Sequence, residues 1–97
     1  MPADVIDTDT KKAIEQRALE MTKLDTFMQT GSEDVWREML TMPAPEAVYF
    51  LECIENGMRK MFKAKGFLRR EPLRCQKALA DMRRAREQMA RAVSALP

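Results

Sequence analysis

The sequence predicts an all-α protein, a small four-helix bundle or helical hairpin assembly with its long first and fourth helices antiparallel. Three observations lead there. Apolar residues recur every three or four positions over long stretches; no stretch alternates apolar and polar residues as a half-buried strand does; and proline, glycine and cap-forming residues divide the chain into four segments with short connectors. At 97 residues and 45% hydrophobic, the chain is expected to form a single helical domain over 1–97, near the size where one apolar core is marginal and a partner often completes it. Residues 1–9 read as a disordered or loosely ordered acidic N-terminus.

The run Asp7-Thr8-Asp9-Thr10 supplies N-cap formers, and Gly31 supplies a stop, so the first helix is expected from about Lys11 to Thr30. Its apolar seam is Ile14, Ala18, Met21, Leu24 and Met28, interrupted by Asp25. Thr30-Gly31-Ser32-Glu33 then offers a cap with a carboxylate three residues on. Val35, Trp36, Met39 and Leu40 share one side of a short second helix that must end before Pro43. Pro45 and Glu46 suit the first turn of a third helix, which runs to about Lys65 and ends on cations and Gly66, with Phe67 or Leu68 placed to fold back on its last turn. Ala47, Phe50, Leu51, Ile54, Met58, Met61 and Phe62 form one broad face of this helix, wide enough to touch two neighbours at once.

Glu71-Pro72 opens the fourth helix. Cys75, Leu79, Met82, Arg86, Met89, Val93 and Leu96 advance by alternating fours and threes, which makes three heptads of core positions with one arginine inside. Lys77, Arg84 and Arg91 repeat by seven on the opposite side, with Arg70 in the same register if the helix begins earlier. Setting the first and fourth helices antiparallel places Met28 near Met82, Met21 near Met89 and Ala18 near Val93. Asp25 then falls beside Arg86, an expected ion pair fixing register.

The net charge of +2 hides a division along the chain. Residues 1–56 hold five basic side chains against twelve acidic ones, a balance of −7, and residues 57–97 hold twelve against three, a balance of +9. One explanation is that the halves fold on each other with their charges solvated. Another is that the basic stripe Arg70, Lys77, Arg84 and Arg91, extended by Arg59, Lys60, Lys63 and Arg69, meets a negative partner. The stripe's spacing of about 10 Å, seven residues at 1.5 Å, suits phosphates along a backbone. Base reading needs more: only Arg74 and Gln76 stand near the start of the fourth helix, and no small-residue turn of a helix-turn-helix precedes it.

Catalysis has little to work with. The chain has no histidine, which removes the commonest general base and the commonest zinc ligand, and its two cysteines, Cys53 and Cys75, are expected as free thiols. Glu52 and Glu55, one turn apart, fall on the hydrated flank of the third helix, and the three glycines form no phosphate loop. No catalytic, cofactor-binding or metal-binding residue is expected, and no enzyme. The longest apolar run, Ala47 to Leu51, is far short of the roughly 20 residues that cross a bilayer, and an N-terminus rich in aspartate is the opposite of a secretory signal. A cytoplasmic protein with no membrane role is expected.

Nine methionines are many for this length. Most belong to core faces, yet a methionine-rich helical protein also suits capture of a partner helix in a groove. Phe27, about 100° from the centre of the first helix's seam, and Tyr49, on the polar side of the third helix, are with Trp36 the aromatic candidates for exposure and partner contact. The sequence therefore reads as a non-enzymatic helical interaction module that sequesters or escorts a larger protein, as antiactivators and secretion chaperones do. The alternative is a small basic-helix DNA-binding protein. A homodimer is open too, because the seam of the fourth helix suits another subunit as well as its own first helix.

Overall fold

A computed structural model describes residues 6–95. Five helices follow in order: α1 Thr8–Lys23, α2 Phe27–Met39, α3 Ala44–Ala64, α4 Phe67–Arg70 and α5 Pro72–Ser94. The all-α class is as expected. Of the expected loose N-terminus, residues 1–5 lie outside the described part, and Thr8 and Asp9 are already helical, because the Asp7 carboxylate accepts a hydrogen bond from the Thr10 backbone N–H at 2.8 Å. Leu96, the last member of the fourth-helix seam, also lies outside the described residues.

The first expected helix is in fact two. At Leu24 the backbone turns extended (φ −65°, ψ 137°), and α2 begins at Phe27. A helix continued through this point would carry Asp25 into the apolar seam; the break instead turns its carboxylate fully into water. Gly31 does not stop anything. It is buried inside α2, where the Phe27 ring lies over it so closely that a methyl group at Gly31 would come within 2.5 Å of ring carbon. Phe27, Gly31, Val35 and Met39 form the buried stripe of α2, one residue per turn.

Pro43 and Pro45 open α3 where a missing N–H costs nothing, and Gly66 (φ 76°) closes it in the left-handed conformation that glycine adopts without strain. Phe67 then folds back edge-on against Phe62, with ring centroids 6.4 Å apart. All seven residues of the expected broad face of α3 are buried, with Phe50, Ile54 and Phe62 fully so. Each such side chain contributes about 1.5–3 kcal/mol on removal from water. That face meets both long neighbours: α1 and α5 pack on α3 and make no contact with one another.

The expected pairing of the first and last long helices is therefore corrected. Contacts rising together along both chains (Glu15 with Tyr49, Thr22 against Gly57, Asp25 with Lys65) show α1 running parallel to α3. The reversal through α4 sets α5 antiparallel to α3, so α1 and α5 do run in opposed directions, but with α3 between them. Asp25 and Arg86 do not meet. Asp25 bridges to Lys65 Nζ at 3.1 Å, and Arg86 reaches Glu55 at 3.5 Å. A heptad seam states that a helix packs lengthwise, not on which neighbour, and α3 offers the wider apolar surface to both.

Candidate protein interface

Because α5 packs along α3 and α4, its flank toward α2 stays open beyond a single link at Arg74. A groove of about 410 Å³ runs there. Ser32 and Trp36 of α2 form one wall; Arg74, Lys77, Ala78, Asp81, Met82 and Ala85 of α5 form the floor and the other wall. Ala78, Met82 and Ala85 follow each other by four and three, so they fall in line along two turns of α5, with small side chains at both ends. Trp36 is 47% exposed beside them, a large indole that its own fold leaves partly uncovered. Arg74 crosses toward the Met28 carbonyl oxygen at 3.4 Å and ties α5 to the start of α2.

The three aromatic candidates separate. Trp36 is exposed as expected, but the side it was expected to share is split, with Val35 and Met39 buried and Trp36 and Leu40 exposed. Phe27 is corrected to core, 7% exposed, because its ring covers Gly31. Tyr49 is half-buried and already engaged: its hydroxyl donates to the Glu15 carboxylate, and the Lys11 ammonium lies 5.4 Å from the ring centre. The bond to Glu15, followed by burial, holds the Tyr49 hydroxyl well above its ordinary pKa. Tyr49 thus fastens α1 to α3 at the edge of a smaller recess lined by Glu15, Leu19, Cys53, Asn56 and Lys60.

The basic stripe is partly as expected. Lys77, Arg84 and Arg91 are exposed along α5. Arg70 does not belong to it, since Glu71 breaks the helix (φ −139°, ψ 61°), and the Arg70 guanidinium lies 5.1 Å from the Phe67 ring centre. Asp81, missed in the sequence reading, sits inside the stripe, 2.9 Å from Lys77 and 3.7 Å from Arg84. Its hydrogen bond with Lys77 lowers its pKa, so it remains an anion among the cations at neutral pH.

Glu55 is the other correction. Expected on a hydrated flank, its side chain is only 4% exposed, enclosed where α3 meets α5. Arg59 of the same helix and Arg83 and Arg86 of α5 all converge on it. The signal was present: Glu55 is four residues from Leu51 and three from Met58, inside the spacing of the broad apolar face. Cys75 is buried and Cys53 half-buried, both free, and burial raises the pKa of each thiol. No helix of the described residues is long and apolar enough to cross a membrane. No family model, curated protein or solved structure matches the chain.

Proposed function

We propose that this protein is a non-enzymatic interaction module of the cytoplasm that captures an amphipathic helix of a larger protein, sequestering or escorting it. The observation that carries this reading is the groove between α2 and α5, with Trp36 on one side and Ala78, Met82 and Ala85 in line along the other. Small residues at both ends of a two-turn floor let a visiting helix approach closely, Met82 and Ala85 close the bottom of the groove as part of the core, and a part-exposed tryptophan is a favoured anchor. Arg74, Lys77 and Arg84 along α5 favour acidic residues flanking the visitor's apolar stripe.

Asp81 supports a protein partner over nucleic acid. It interrupts the cationic row where a phosphate backbone would need it continuous. Trp36 is the single tryptophan of the chain, so its fluorescence reports the groove alone. Titration with a helical peptide bearing an apolar stripe and acidic flanks is expected to shift and quench that emission saturably, and the peptide with lysines in place of its acids is expected to fail. A titration with duplex DNA at two salt concentrations addresses the alternative: tight binding that falls steeply with salt, with no response to the peptide, would establish the DNA-binding class instead.

A further inference from the structure

The cluster around Glu55 holds more positive charge than its carboxylate requires. Arg83 Nη2 lies 3.2 Å from Glu55 Oε2, Arg86 Nη2 lies 3.5 Å from Oε1, and Arg59 Nη2 bonds Oε2. One carboxylate against three guanidinium groups leaves a local charge of +2. Arginine does not relieve such crowding by losing a proton, because a guanidinium stays charged in proteins. The carboxylate is enclosed, while the side chains of Arg59, Arg83 and Arg86 are 43%, 50% and 29% exposed, so the cations face the solvent around a covered anion.

The hydrogen-bond accounting is also incomplete. Arg86 Nε is buried without an acceptor, and Glu55 Oε1 has no hydrogen bond of good geometry. Among the described residues, the only further acceptor that the three guanidinium groups meet is Asn56 Oδ1, 3.4 Å from Arg59 Nη1. Most of the fifteen or so N–H donors that three arginines carry are therefore unspent.

We propose that Arg59, Arg83 and Arg86, held in place by Glu55, form a binding site for a phosphate monoester dianion. Glu55 supplies the preorganisation: it fixes three long side chains whose ordering otherwise opposes ligand binding. Planar guanidinium forks then present paired donors to phosphate oxygens. The excess of two positive charges matches a monoester, which carries about −1.5 to −2 at pH 7, better than the single charge of a nucleic-acid diester. The site is separate from the groove, which none of these arginines lines.

The test is a titration of the full chain, with the arginine Nε–H resonances of Arg59, Arg83 and Arg86 as readout. Inorganic phosphate, a phosphoserine peptide and a single-stranded oligonucleotide are compared at matched ionic strength, with sodium chloride as the control. The expected result is a saturable shift of all three resonances with phosphate and none with chloride. Arg83→Gln and Arg59→Gln, both at half-exposed positions that leave Glu55 paired, each weaken binding roughly tenfold, as loss of one charge-assisted hydrogen bond does. A phosphoserine peptide binding more tightly than inorganic phosphate would identify a phosphorylated side chain as the source, and equal binding would identify free phosphate. The proposal is overturned if phosphate acts no differently from chloride, if the oligonucleotide alone binds, or if both variants bind phosphate as well as the parent chain does.

Discussion

Removing the Glu55 carboxylate leaves three guanidinium groups facing each other with nothing between them. Glu55→Ala is expected to destabilise the fold by about 3 kcal/mol, the low end for breaking a buried pair, because the arginines still reach water. Asp25→Ala removes an exposed bridge and is expected to cost less than about 1 kcal/mol. Denaturant unfolding of the two variants checks this ordering, and equal losses would contradict it. At the acid end, the carboxylates of Asp7 and Asp81 have pKa values below the ordinary range, Asp7 through the Thr10 N–H and Asp81 through Lys77. A depressed folded-state pKa stabilises above the unfolded value of about 3.9 and loses that contribution as pH falls through the folded value. Stability should therefore decline on acidification below about pH 4, and Asp7→Asn and Asp81→Asn should each flatten that decline. At this scale the sequence was legible wherever a residue's role is local, as with the Gly66 stop or the run of cap formers at 7–10, of which Asp7 caps a helix that starts three residues earlier than expected. Arg86 does lie in the seam of α5, partly buried, whereas Asp25, expected inside a seam, marks the break between α1 and α2 and faces water. Their partners depend on which helices meet, and periodicity does not encode that.

Among the elements, the crossing of α1 over α3 depends on a close approach at Thr22 and Gly57. A methyl group at Gly57 would lie 2.6 Å from Thr22 Oγ1, which itself donates to the Ala18 carbonyl oxygen at 3.0 Å. Alanine favours a helix over glycine by about 1 kcal/mol, yet Gly57→Ala is expected to destabilise, since overpacking costs about 1–3 kcal/mol. Thr22→Ala should recover part of that loss in the double variant, and strictly additive losses would show that the two residues do not touch. The same logic explains the misplaced boundary between α1 and α2. Gly31 read as a helix stop because a stop is glycine's commonest use near a helix end, whereas its use here is to admit the Phe27 ring. Asp25, the polar break in the seam, was the better sign. The seven apolar residues of the broad face of α3 were legible from composition and spacing, but Glu55, buried among them, was not, because its burial depends on the arginines that α5 brings to it.

In the whole molecule, the acidic and basic halves of the chain do not lie flat against each other. They meet where Asp25 bridges to Lys65 and where Arg83 and Arg86 close on Glu55, while α1 and α5 stay on separate sides of α3. This placement leaves the outer surface of α5 cationic and the α2/α5 groove open beside it. The sequence pointed to Trp36 and the stripe, but not to the groove, which exists only because α2 folds back along α1, with Arg17 bonded to Glu38 at 3.0 Å, instead of covering α5. Trp36→Ala is expected to weaken capture of an acidic amphipathic helix by about 2 kcal/mol or more with little effect on unfolding, as calorimetric titration and denaturation of the same sample would show. The most direct test of the groove as the working surface is a backbone and indole amide NMR titration, at about 150 mM salt, with the acidic helical peptide and duplex DNA in parallel. Saturable shifts confined to the Trp36 indole and to Ala78, Met82 and Ala85 with the peptide alone are the predicted result; shifts of Lys77, Arg84 and Arg91 with DNA, while the peptide leaves Trp36 unmoved, would contradict it.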